Sequence, residues 1–492
     1  MRKFATIALI FSLTAAGLVG CDLLDSQNVE NPELTQDAAL SNPNPLERWT
    51  AGLEEQMVLV LNDTHDYTSI ATDNYNNTET FYNQGADNLS FTITDSDLGN
   101  MLEDQSELRE SAIFGKEEVV DRAENPNPDL VAELDFYLGM SHLFLGETFL
   151  NAPVEASGPP ASPDDHYQEA VNAFQSAIES GDGDQTGYKL AQARAYYNLG
   201  DQQNAVSRAE EVLSEDPQYL RVRETDPVNG PSNVVQNALY DRATLDDFQP
   251  LPRLDFLDPK YGAAGTNDTP YVLLKAEEAH LVLIEADLAN SALPSAQTQM
   301  KDLIDLVKER GTRAVDESGE GRRRAGPEAE SPSGFYPDTT AYDVRASDQD
   351  PFRSGLVLNR TSSTEVPSVS GTSVTKQMVD NVSNLDEAWE LYYLLRQEIF
   401  MAEGRRFATL GLKVPLPENE LTVNDNIDQQ TAEESTIPDY IPDTPSDMDA
   451  FTYEDNPAYE SDPAANAFQV TIEVNMNRRL ANNRQAVSPF LQ

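Results

Sequence analysis

Residues 186–219 read TGYKLAQARAYYNLGDQQNAVSRAEEVLSEDPQY. Two stripes of helical spacing, Tyr188 to Leu199 and Gln202 to Leu213, meet at Gly200-Asp201. With Gly200 at the turn, Ala193, Tyr196, Ala205, Ala209 and Pro217 take the small, aromatic, small, small and closing-proline positions of a tetratricopeptide (TPR) unit. Such a unit buries its apolar face only against neighbours, so more units are expected.

They are found on both sides. Leu130, Leu134, Leu138, Ser141 and Leu145 mark one preceding helix, and Tyr167, Ala170, Val171, Phe174, Ala177 and Ile178 mark another. A Pro- and Gly-rich insert, 151–163, splits that pair. Downstream, 271–310 reads as a third pair and 385–412 as part of a fourth. The pairs therefore span about 129–219, 271–310 and 385–412. Asn44-Pro45 is a helix start, followed at helical spacing by Leu46, Trp49, Leu53, Met57, Val60 and Leu61. Between these lie loop-rich regions, 62–98, 220–270, 311–384 and 413–465. Near the end, Phe468, Val470, Ile472 and Val474 alternate with polar residues, which predicts one strand. The expected fold is mainly α: a TPR-like helical-repeat scaffold with long irregular ligand-binding loops and few short strands.

The N-terminus carries a different signal. Arg2 and Lys3 precede an apolar run, Ile7 to Val19, that ends in Leu18-Val19-Gly20-Cys21. This is a secretory signal peptide, 1–20, followed by the only cysteine of the chain. A cysteine placed there is the lipobox residue, so Cys21 is the expected acylation site and membrane anchor. Residues 21–44 then form a polar tether, and 45–492 a single domain.

The formal net charge is −52. That argues against a general nucleic-acid or anionic-lipid surface, which needs clustered Lys and Arg. The acid is spread along the chain, and 39% of residues are hydrophobic. An acidic solvated surface suited to concentrated salt fits this better than disorder.

No catalytic constellation emerges. His65, His142, His166 and His280 lie far apart in sequence and lack zinc-enzyme context. There is no Gly-x-Ser-x-Gly elbow and no P-loop, and His142 sits in a helical stripe as a core residue would. Asp182-Gly183-Asp184-Gln185-Thr186-Gly187 copies the start of a calcium loop, but Ala193 stands where the bidentate Glu belongs. The expectation is a protein without catalytic residues, metal or cofactor.

Binding chemistry remains. Tyr67, Asp73, Asn74, Tyr75, Asn76, Asn77, Phe81, Tyr82 and Asn83 combine aromatic faces with planar amides and carboxylates, a mixture that holds sugars or peptides. Phe335, Tyr336, Tyr342 and Arg345 form a second candidate group. Alternatively, these rings pin the loops to the helices.

Three stretches together resemble the SusD/RagB lipoproteins. They are Cys21-Asp22-Leu23-Leu24-Asp25, the helix Phe136–Leu150 running into Asn151-Ala152-Pro153, and Arg396–Gly411, which is similar to that family's late E-G-x-R helix. The resemblance implies a lipid-anchored outer-membrane protein that takes up a glycan or peptide for a SusC-like TonB-dependent channel. Two other classes remain open: a structural TPR lipoprotein of outer-membrane assembly, and a lipid-anchored secreted hydrolase. The long aromatic loops argue against the first, and the missing motifs against the second.

Overall fold

The computed structural model describes residues 44–77, 84–240, 248–262, 268–316, 337, 339–462 and 464–492. Cys21, the expected leader and most of the expected tether lie outside them, as do Phe81, Tyr82, Asn83, Phe335 and Tyr336.

Helix α1 (Pro45–Ile70) opens on the expected proline and buries Leu46, Leu53, Met57, Val60 and Leu61. It continues about two and a half turns past Leu61, so 62–70 is helix and not loop. These turns are polar but buried, with partners from distant segments. Asn62 donates to the Ser232 carbonyl at 3.0 Å and accepts from the Tyr271 hydroxyl at 2.6 Å. Thr64 accepts from Gln105 at 2.9 Å. Helix α2 (Ser96–Phe114) is capped by Asp95 and packs on α1.

The repeat scaffold follows. Helices α3 (Pro128–Thr148) and α4 (Pro163–Ser180) form the first pair, and α5 (Gln185–Asn198) and α6 (Gln202–Glu215) the second. The α3–α4 contact is close: a Cβ on Gly139 would sit 2.5 Å from the Phe174 ring. Ser162 and Asp165 make a reciprocal capping box at the start of α4. Gly200 takes φ +71° at the α5–α6 turn, a conformation that favours glycine. Ala193, Ala205 and Ala209 are fully buried there.

Helices α7 (Glu277–Ala289) and α8 (Leu293–Glu309) are the third pair. Its predicted first turn is instead a strand. Tyr271–Lys275 pairs antiparallel with Leu220–Arg223, because a fully buried apolar run carries no period to separate strand from helix. The scaffold continues through α9 (Lys376–Asn381), α10 (Leu385–Ile399) and the short α11 (Arg405–Thr409). The chain ends with α12 (Met476–Asn482), packed on α10, and two short helical turns.

The loop-rich regions hold short strands. Numbered in chain order, they are β1 (Tyr75–Asn77), β2 (Leu220–Arg223), β3 (Phe248–Pro250), β4 (Tyr271–Lys275), β5 (Thr312–Val315), β6 (Tyr342–Arg345), β7 (Thr364–Pro367), β8 (Phe451–Asp455) and β9 (Phe468–Ile472). The predicted strand is β9, the centre of a three-stranded sheet with β6 parallel and β8 antiparallel to it. The buried apolar residues form one cluster from Leu46 to Ala481.

The E-G-x-R stretch clasps this core. Glu403 accepts from Lys275 at 2.6 Å and pairs with Lys260. Arg405 pairs with Glu278, and Arg406 holds Asp73 through contacts of 2.6 and 2.9 Å. Gly404 adopts φ +66°, and a Cβ there would lie 2.8 Å from His65 and Thr68. Burying a charge is costly unless it is paired, and these charges are paired. No helix among the described residues is long and apolar enough to cross a membrane.

Candidate functional site

The first predicted group is largely internal. Tyr67, Asp73, Asn74 and Tyr75 are each 2% exposed or less. The Tyr67 hydroxyl donates to Asp95 at 3.3 Å. The Tyr75 ring is fully buried, 6.0 Å from the Phe248 ring on β3, with no exposed face to stack a ligand. Tyr75 and Tyr67 therefore pin the segment to the helices, which corrects their assignment to a ligand face. Asp73 serves the core: Arg406 and Gln397 hold its carboxyl below the usual range against the opposing effect of burial. Asn74 accepts from Gln397 at 2.9 Å. Asn76 and Asn77 are half-buried on β1, where Asn76 donates to Asp449 at 2.6 Å and the Asn77 amide to Asp87 at 3.2 Å.

The second group sits elsewhere. Tyr342 stacks on Phe468 across β6 and β9 with ring centres 4.9 Å apart. Arg345 points to the other face of the sheet. It donates to Thr471 and Asp348, both at 2.8 Å, and its guanidinium lies 4.6 Å over the Phe352 ring. The sheet and Arg345 thus fix the base of the loop that follows, 346–353.

That loop, α9, α10 and the start of α12 enclose a cavity of about 350 Å³. Its lining is mixed: Pro351, Met378, Val382, Leu391 and Leu394 are aliphatic or thioether side chains, and Arg253, Arg353, Asp350, Glu390, Asn475 and Asn477 are polar. A second cavity of about 320 Å³ shares Asn475 with the first. Volumes of this size, apolar with a few placed polar groups, are typical of ligand sites.

Arg478 ties the lining together. It donates twice to Glu390 at 3.0 Å, donates to Ser347 at 3.2 Å, and pairs with Asp350. Asn475 caps α12 and donates to Glu390 at 2.8 Å. Beneath the cavity, Gln397 acts as a hub. Its amide nitrogen donates to Asp73 and Asn74, and its oxygen accepts from Arg253 and, at 3.0 Å, from Asn477. Asp73 and Asn74 therefore support the floor of the cleft from behind. Arg253 and Asn477 are almost fully buried, yet the Arg253 Nε and the Asn477 Oδ1 have no partner among the described residues.

No such cleft is visible in the sequence. Its residues come from five segments, and only Asn475 leaves a local mark, as a helix cap before Met476. The calcium-loop stretch has another use. Asp184 caps α5 and takes the Tyr219 hydroxyl at 2.5 Å and Arg221 at 2.8 Å. No cluster of three or more metal-ligating side chains occurs among the described residues. His142 is a core residue, as its helical stripe implies, but it faces His166 with 3.1 Å between the two Nδ1 atoms.

No family model matches the sequence, and no curated protein matches it. Solved structures do match the fold. A SusD superfamily protein from Bacteroides vulgatus aligns at TM-score 0.52 and 11% identity, over 81% of this chain and 99% of its own. Another from Bacteroides fragilis aligns at 0.50 and 14%, over 79% and 99%. A protein from Bacteroides vulgatus described as a candidate sugar-binding protein aligns at 0.50 and 14%, over 78% and 97%. The chain has the SusD-like fold, with TPR-like helical content.

Proposed function

We propose that this SusD-fold chain captures a nutrient, an oligosaccharide or peptide, and delivers it to a SusC-like TonB-dependent channel without transforming it. Cys21 anchors it by lipid to the outer membrane, facing outward. The observation that carries the reading is the cleft between α9, α10, α12 and loop 346–353, lined by both aliphatic and polar side chains. The fold supports it, since one structural neighbour is described as a candidate sugar-binding protein. The Leu18-Val19-Gly20-Cys21 stretch supports the anchor.

Met378 is a half-buried lining residue of the cleft, so a tryptophan there fills part of the cavity. Calorimetry of the purified chain against a glycan and peptide panel should find a ligand whose affinity Met378→Trp lowers by about tenfold or more, the equivalent of ~1.4 kcal/mol. The melting temperature should stay near wild type. Unchanged affinity for every ligand would put capture at another surface.

A further inference from the structure

We propose that the cleft takes a short peptide, recognised by a carboxylate and an aliphatic side chain; this rests on the cleft being the capture site. Two observations choose this class. The first is the lining: no aromatic side chain lines either cavity among the described residues. A pyranose held by its apolar face wants a ring to stack on. Pro351, Met378, Val382, Leu391 and Leu394 offer instead a branched aliphatic surface, which suits a Leu, Ile or Val side chain.

The second is the distribution of charge. Cations are scarce here, 33 against 85 acids, and most buried arginines sit in tight ion pairs. The cleft's arginines do not. Arg353 makes one side-chain hydrogen bond, to the Ser373 carbonyl at 2.6 Å, and no close ion pair among the described residues; the carboxyl it acts on, Glu398, is hydrogen-bonded to Thr372 and Ser373. Arg253 donates to the neutral Gln397, and its nearest carboxylate, Asp73, is 3.6 Å away and already taken by Arg406. By contrast, the cleft carboxylates are engaged. Asp350 and Glu390 share Arg478, and Glu387 accepts from the Ser383 amide at 2.7 Å. What Arg353 retains is guanidinium N–H donors not used by any close carboxylate among the described residues, and guanidinium binds carboxylate in a planar, charge-assisted way.

The test is calorimetry of the purified full chain with Ala-Ala-Leu, its C-terminal amide, maltohexaose and a galacturonic-acid oligomer. The variants are Arg353→Gln and Met378→Trp. Arg353 is half-exposed with one side-chain bond, so its replacement leaves the fold in place. The acid peptide should bind, and the amide should bind about tenfold or more weakly. Arg353→Gln should shrink that gap, and Met378→Trp should abolish both. Equal affinity for acid and amide would overturn the carboxylate assignment. Binding of either sugar but no peptide, blocked by Met378→Trp, would overturn the ligand class while leaving capture at the cleft intact. Ligands that bind regardless of Met378→Trp would sink the capture site itself.

Discussion

His142 on α3 and His166 on α4 show how a single proton can be committed to the fold. The His166 Nε2 lies 2.8 Å from the Ala152 carbonyl, which only accepts, so that nitrogen carries the hydrogen. Its Nδ1 is then bare and accepts from the His142 Nδ1–H at 3.1 Å. Protonating either ring would set hydrogen against hydrogen. Burial lowers His166 to about 4 and pushes His142 well down. The unfolded chain takes up protons near pH 6.5 that the native rings refuse, so this contribution is full above about pH 6.5 and is lost on acidification. Asp63 and Asp104, raised to about 6 and about 7 by partial burial and neighbouring carboxylates, titrate with the opposite sign. A difference between variants is therefore the clean measurement. His166→Gln should flatten the pH dependence of unfolding free energy by up to about 1.4 kcal/mol per pH unit between pH 6.5 and 4. An unchanged slope in denaturant titrations would mean that the native ring is already charged. Neither the pairing nor its sign was legible in the sequence, where the two histidines are 24 residues apart.

At the scale of elements, helices with an apolar stripe were legible and helices with buried polar residues were not. Helix α5 and helix α6 follow their repeat spacing because they stack between neighbouring pairs, α5 against α4 and α6, and α6 against α5 and α7. Ala205 is fully buried on α6, where the two backbones approach. Ala205→Leu should overpack that contact and cost about 1–3 kcal/mol in denaturant unfolding. A neutral result would mean that the hairpin has slack. The last turns of α1 escaped detection because Asn62, Thr64, His65 and Thr68 are polar in sequence and internal in space. The same cause explains Tyr75, whose polar neighbours Asp73 and Asn74 imitate an exposed loop although Arg406 and Gln397 hold them in the core.

For the molecule as a whole, the net charge of −52 is the dominant long-range term. The buried cations are largely engaged in local pairs, so they do little to offset repulsion across the acidic surface. Raising salt from about 0.15 to 1 M shortens the screening length from about 8 to 3 Å, so the repulsion falls. The melting temperature should rise by several degrees or more with sodium chloride and with potassium chloride alike. A flat or falling curve would mean that stability rests on surface ion pairs that salt weakens.

What is periodic and local was written in the chain itself: the paired helices, the Asn44-Pro45 start and the strand at 468–472. These depend on side-chain spacing along one element, which a sequence displays directly. The cleft and the clasp beneath it were decided only in three dimensions. Asp73 meets Arg406 across 333 positions, and Gln397 meets Asn477 across 80. A polar residue in sequence looks the same whether water or a distant arginine satisfies it, and burial alone separates the two.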